Sequence, residues 1–191
     1  AGLGGGSSDA GFFLKLLNEH YGNVYNEKEL EELAMKVGSD VPFFIKNKTA
    51  RVGGKGNKVE LVENNLKDSL ILVKPLGFGV STKDAYNSFD ELDEVRYANF
   101  EKIVECLRND NRKDLEKYIE NGLEQGISER NADIKMFKAI LNSVVPGKKF
   151  FMSGSGSTYY TFVTEIERSQ IETRLRTFVD NVKIIISKTI N

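Results

Sequence analysis

Three short stretches hold residue types that could do chemistry on a phosphate or an alcohol. The first, Ala1-Gly2-Leu3-Gly4-Gly5-Gly6-Ser7-Ser8, sets four glycines and two serines ahead of a run whose Ala10, Phe13, Leu14 and Leu17 recur at helical spacing. Glycines let successive backbone N–H groups converge on an anion, and the N-terminus of the following helix adds partial positive charge. The serine hydroxyls offer further contacts to phosphate or to Mg²⁺, with Ser7 the candidate metal ligand. A flexible linker or a tight capping turn would use the same composition. The run does not end in Gly-Lys-Ser/Thr, which excludes a Walker loop.

The second stretch is Gly38-Ser39-Asp40-Val41-Pro42-Phe43-Phe44. Pro42 is expected to forbid a simple helical continuation and to hold Val41 out of the helical region, fixing Asp40 at a bend beside apolar neighbours. An Asp beside Ser and Gly commonly caps a helix or a turn. The competing role is that of a general base. With His20 the only histidine in the chain, a carboxylate is the natural group to accept a proton from an alcohol. The third stretch, Met152-Ser153-Gly154-Ser155-Gly156-Ser157, lies between apolar runs. A hairpin needs only one or two glycines, so the surplus points to a loop that approaches a ligand.

The elements that must position these residues are partly visible. Asn26 with Glu29 three residues on forms a capping box for a helix with Leu30, Leu33, Ala34 and Val37 on one face, and Gly38 stops it. Residues 49–52 and 58–62 read as strands joined through Gly53-Gly54-Lys55-Gly56-Asn57, a hairpin. From Leu70 the sequence reads as a buried strand, helices over about 100–107, 114–123 and 133–141, two strands around the third stretch, a helix carrying Ile171 and Leu175, and a final strand from Val182. That order of strand, helices, strand, strand, helix and strand is similar to the ferredoxin-like split βαβ sandwich. The segment before Leu70 has too few strands for a sheet of its own and reads as the end of a preceding domain.

With 191 residues, 40% of them hydrophobic, there is enough apolar material for a sizeable core. A net charge of −1 supplies no field that would draw nucleic acid or an anionic membrane, so an anionic ligand has to be held by local chemistry. The single cysteine, Cys106, permits no internal disulfide; it reads as a buried structural thiol, and the chain suits a reducing cytoplasm. His20 reads as a helix-end or surface residue, and the charged run 108–117 as a solvated face.

Taken together, "AGLGGGSSDA", "GSDVPFF", "VST" followed by Ala85-Tyr86, and "MSGSGST" resemble, in order and spacing, the GHMP kinase superfamily of small-molecule kinases. The combination is most similar to the branch acting on a cytidine diphosphate-linked methylerythritol in non-mevalonate isoprenoid precursor synthesis. The resemblance implies an α/β (α+β) two-domain GHMP kinase-like fold, with residues 1–68 ending the N-terminal ATP-binding domain and 69–191 forming the C-terminal one. It implies ATP and Mg²⁺ as cofactors, residues 1–8 around the ATP phosphates and Asp40 as general base. Tyr86 would stack on the substrate's cytosine, and Thr82, Ser153, Gly154, Ser155 and Gly156 would close over this small-molecule acceptor. In the superfamily a catalytic lysine and most cytidine-reading groups stand upstream of these motifs, so the residues given are expected to lack turnover by themselves. Kinases of mevalonate-, homoserine- or sugar-type alcohols, and non-catalytic nucleotide-binding relatives, remain alternatives. Two stretches depart from the branch's pattern: Gly54-Lys55-Gly56-Asn57 where Gly-x-Gly-Glu stands, and Asn121-Gly122-Leu123-Glu124 where Asn-Asp-Leu-Glu stands. Both are expected to lie away from the chemistry.

Overall fold

In a computed structural model that describes residues 2–189, the chain divides into two units. One is Gly4–Asn64; the other is Asn65–Thr189 together with Gly2 and Leu3.

In the smaller unit, α1 (Gly5–His20) begins within the glycine run. Gly4 is its N-cap, in the left-handed conformation at φ 61°, and Ser7 and Ser8 lie inside the first turn and do not cap it. Only glycine adopts that conformation freely, so the chain is already helical by the time it reaches the serines. α2 (Glu27–Val37) carries the expected capping box between Asn26 and Glu29. Val41 proves helical, contrary to the expectation for a residue before proline: it opens the short α3 (Val41–Lys46), with Pro42 in its first turn. A proline there sacrifices no intrahelical hydrogen bond, because those N–H groups have no partner within the helix. Leu30, Ala34, Val41 and Ile45 form the core of this unit with Ala10 and Leu14. Lys46 ties α3 to α2 through Glu27 and Glu31, each at 2.9 Å. β1 (Ala50–Gly53) and β2 (Lys58–Leu61) make the expected antiparallel hairpin, pairing Ala50 with Leu61 and Gly53 with Lys58.

The larger unit is an antiparallel sheet in the order β4 (Phe151–Met152), β5 (Tyr159–Val163), β3 (Ser69–Pro75), β6 (Val182–Lys188). Helices α4 (Thr82–Asp90), α5 (Phe100–Arg108), α6 (Arg112–Tyr118), α7 (Gly122–Arg130) and α8 (Ala132–Val144) separate β3 from β4, and α9 (Glu165–Phe178) separates β5 from β6. This is the βαββαβ order read from the sequence. Ile71 and Val73 of β3 are fully buried against Tyr159, Ile134, Leu141, Leu175 and their neighbours. The helix expected over 114–123 is instead two. Ile119 turns extended and Asn121 starts a new helix by accepting a hydrogen bond from Glu124 N; a well-formed N-cap outcompetes continuation of the apolar periodicity.

The run 108–117 is not the uniformly solvated face expected. Arg112 reaches inward to Asp68 and Glu167, both at 3.2 Å, and Leu115 is buried. Lys148 also pairs with Glu167, at 2.9 Å. Burial alone would raise the Glu167 carboxyl, but hydrogen bonds from Lys148 and from the Thr164 backbone and hydroxyl hold it down at about 2. Burial raises the Asp68 and Glu116 carboxyls from their ordinary values in spite of the Arg112 guanidinium. Cys106 is buried, as expected, and burial pushes its thiol upward. His20 is exposed in the last turn of α1. Among the described residues no helix is long and apolar enough to cross a membrane.

Candidate active site

The smaller unit presents a bare helix N-terminus. No side chain caps α1, so the first N–H groups of the helix have no protein acceptor from that source. A Cβ added to Gly5 or Gly6 would meet nothing within 4 Å, so the space beside these amides is open. At Gly4, by contrast, a Cβ would come within 3.1 Å of Phe44 Cζ, and at buried Gly11 within 2.6 Å of Phe44 Cβ. Glycines thus let α1 lie close over α3, and Asp40 is the residue that leads into α3. Asp40 is exposed and makes no side-chain hydrogen bond to the helix it precedes. Its carboxylate is not used as a cap. Ala1 lies outside the described residues.

The hairpin bears directly on this bend. At the turn, Gly56 has φ +96°, and a Cβ there would collide with the Ser39 carbonyl oxygen and come within 2.8 Å of its carbon. The backbone of the turn therefore packs on the residue immediately before Asp40. Asn57, standing where the related pattern has Glu, shapes the turn by accepting a hydrogen bond from Lys55 N at 3.1 Å. The expectation that 54–57 lies away from the candidate chemistry is wrong, because sequence distance does not measure where a hairpin folds back.

In the larger unit, residues 153–157 form a compact loop. Ser153 N donates to Thr158 O at 2.9 Å and Gly156 N to Ser153 O at 3.0 Å. Ser153 Oγ donates to Gly2 O at 2.6 Å, and a Cβ on Gly2 would lie 2.9 Å from Gly156 O. Thr82, at the start of α4, places its Oγ1 3.2 Å from Ser155 Oγ. The structure thus brings Gly2, Thr82, Ser153, Gly154, Ser155 and Gly156 together. Tyr86, one turn further along α4 and 54% exposed, lines a groove of about 550 Å³ with Tyr97, Phe100, Met152, Ser153 and Gly154. An aromatic-walled groove floored by a polar loop suits a planar ring carrying polar substituents. Tyr160 also lines it; burial, with Glu124 nearby, pushes its hydroxyl up to about 12, so it stays protonated.

Sequence reading missed Tyr97, Asn121 and Glu124. Tyr97 sits in an irregular charged segment with no periodicity to single it out. Asn121 and Glu124 belong to the second departing stretch, expected far from the chemistry, yet Asn121 Nδ2 donates to Met152 O at 2.8 Å and Gly154 O at 2.9 Å. Gly122, where the related pattern has Asp, has a local reason: a Cβ there would sit 2.5 Å from Phe89 Cε2. Among the described residues no group of three His, Cys, Asp or Glu side chains could hold a metal ion.

Residues 1–48 match the GHMP kinases N terminal domain. Over its full length the chain is 79% identical to the 4-diphosphocytidyl-2-C-methyl-D-erythritol kinase of Fusobacterium nucleatum, spanning 65% of that protein. The chain is thus GHMP kinase-like along its whole length. A Clostridium botulinum kinase of the same name is 34% identical over 177 residues, covering 90% of this chain and 60% of the relative. The crystal structure of a 4-(cytidine 5'-diphospho)-2C-methyl-D-erythritol kinase superposes with a TM-score of 0.77 at 25% identity, covering all of this chain and 67% of that one. The chain thus spans 60% and 65% of the two curated relatives and 67% of the solved one, and it shares the mixed helix-and-sheet fold of that structure.

Proposed function

We propose that the chain provides the phosphate-cradling and acceptor-reading residues of an ATP-dependent kinase that phosphorylates the 2-hydroxyl of 4-diphosphocytidyl-2-C-methyl-D-erythritol, working in the reducing cytoplasm. The observation that carries this reading is the 79% identity, along the whole chain, to a kinase of that name. On this reading residues 1–68 end the ATP-binding domain and 69–191 form the second domain.

The bare N-terminus of α1 supports the cradle. Amides at Gly5, Gly6 and Ser7 donate to phosphate oxygens, and the helix end favours their charge. Asp40 takes the proton from the acceptor hydroxyl as its oxygen attacks the γ-phosphorus; the O–P bond to the β-phosphate breaks and ADP leaves. A carboxylate that caps nothing is free for this role. In the larger unit, Tyr86 stacks on the cytosine, while Thr82 and residues 153–156 contact the polar part of the acceptor. Mg²⁺ needs few protein ligands when it travels on nucleotide phosphates; Ser7 would hold it, and its charge would offset that on the transferring phosphoryl group.

The test is ADP release by the complete enzyme, with the cytidyl alcohol, homoserine and mevalonate as alternative acceptors. Turnover with the cytidyl alcohol alone is expected. Turnover with homoserine or mevalonate, or none with any alcohol, would overturn the assignment.

A further inference from the structure

The turn that starts α7 does more than cap a helix. Asn121 Oδ1 accepts the hydrogen bond from Glu124 N at 3.2 Å, which satisfies the helix. Its amide nitrogen is left over, and both of its hydrogens are spent on one target: Met152 O at 2.8 Å and Gly154 O at 2.9 Å, across more than thirty residues of sequence. Glu124, three residues on and 8% exposed, accepts a hydrogen bond from Met152 N at 3.2 Å. Its other oxygen pairs with Lys138 of α8 at 2.7 Å. Both backbone groups of Met152 and the carbonyl of Gly154 are therefore bound by two side chains from one helical turn.

We propose that Asn121 and Glu124 are positioning residues that lock the 153–157 loop in the shape that meets the acceptor. The link to the acceptor rests on the kinase reading above; the clamp itself rests on the hydrogen bonds. The loop needs such a lock. Gly154 and Gly156 both have positive φ, at +54° and +81°, and glycine carries the largest backbone freedom of any residue. Two glycines in a five-residue loop would sample many shapes if nothing outside held them. Glu124 is itself fixed, since a buried carboxylate requires partners, and Lys138 and Met152 N supply them. The departing Gly122 leaves this arrangement untouched: it makes room for Phe89 on α4, and α4 carries Thr82 and Tyr86.

Asn121→Asp separates the clamp from the cap. Aspartate caps a helix as well as asparagine, but it replaces the donating amide with an oxygen that repels the two carbonyls. In the complete enzyme, the amides of residues 153–157 should exchange with solvent at least about tenfold faster, the loss of two hydrogen bonds from a local opening equilibrium. The amides of α7 should keep their protection. The KM for the cytidyl alcohol should rise about tenfold, with that for ATP within about twofold. Asn121→Ser, whose hydroxyl caps but does not span both carbonyls, should behave alike and serves if the Asp variant does not fold. Unchanged loop exchange in either variant, or equal loss of protection in α7, overturns the clamp. Faster loop exchange with neither KM altered overturns the link to the acceptor. If the wild type fails to phosphorylate the cytidyl alcohol, the kinase reading falls, and loop exchange still decides the clamp.

Discussion

The two glycine-rich loops are alike in composition and opposite in construction. At the start of α1 the backbone amides are left bare: no side chain caps the helix, Gly5 and Gly6 face open space, and Asp40 caps nothing. In the 153–157 loop polar groups are engaged by Asn121, Thr82 and Gly2, and Glu124 holds Met152 N immediately before it. Unused donors cost little where water can reach them and become useful when an anion arrives. A loop that must present a shape needs its own groups satisfied first. Glycine serves the first region by exposing amides and the second by allowing left-handed backbone and close approach.

The largest effect expected from breaking this contrast is at the bare region. Asp40→Asn in the complete enzyme, nearly isosteric and unable to take the proton, should lower kcat by roughly 10²–10⁴ with little change in either KM. Because the carboxylate caps nothing, the melting temperature should hold. A fall in melting temperature with kcat within about tenfold would return Asp40 to a structural role. Partial rescue of kcat by high Mg²⁺ would make it a metal ligand.

Next in size is the groove beside the locked loop. Stacking on an aromatic ring is worth ~1–3 kcal/mol, so Tyr86→Ala should raise the KM for the cytidyl alcohol roughly ten- to a hundredfold and leave that for ATP alone. Tyr86 is 54% exposed, so the substitution should not unfold the protein. Equal damage to both KM values would sink the stacking role.

The glycines themselves give a sharper comparison. Gly6→Ala meets nothing within 4 Å and lies inside α1, where alanine is the better helix former, so the melting temperature should not fall. On the proposed cradle, obstructing this amide should raise the ATP KM about tenfold. Gly2→Ala should do the reverse first: its Cβ would press on the Ser153 and Gly156 carbonyls from a backbone at φ +79°, and stability should drop by about 1–3 kcal/mol. If the two variants lowered the melting temperature alike, the distinction between bare and locked glycines would fail.

The smallest effect concerns acid. Glu167 is held at about 2 against an ordinary 4.5, so its contribution is complete above pH 4.5 and is lost as pH falls toward 2. Asp68 and Glu116 are raised and have the opposite sign: their contribution is complete below the ordinary carboxylate range and declines as pH rises through their folded values. With its side chain 35% exposed, Glu167 should contribute only about 1–2 kcal/mol after screening by water. Thermal unfolding of Glu167→Gln should therefore show a shallower loss between pH 4.5 and 2 than the wild type, by a few degrees. Parallel curves for the two proteins would remove Glu167 from the account.

Features held by local rules were legible in the sequence. The capping box at Asn26, the β1–β2 hairpin and the βαββαβ order follow from spacing, turn residues and apolar runs, and the structure has all three. The three loops proposed for chemistry stood out in the sequence for the same reason. Errors arose where one local rule beat another, as when Asn121 ended the expected 114–123 helix, or when Pro42 entered a helix at its tolerated end. What sequence did not carry was reach. Nothing in the spacing says that Asn121 meets Gly154, that Arg112 turns inward to Asp68 and Glu167, or that Gly56 touches Ser39. Those partners are set by how distant elements fold back, and the residues involved look ordinary in their own neighbourhoods.

The hairpin turn against Ser39 carries a consequence for how this segment can change over evolutionary time. Because Gly56 rests on the backbone beside Asp40, the length of the ladder acts as a gauge for the bend. One residue added to or removed from either strand would move the turn by about 3.3 Å and draw it off Ser39. Exposed positions on the hairpin such as Lys58 and Glu60 are free to drift in side chain. Insertions and deletions are not tolerated in the same way, so alignments of relatives should show this segment variable in sequence and constant in length.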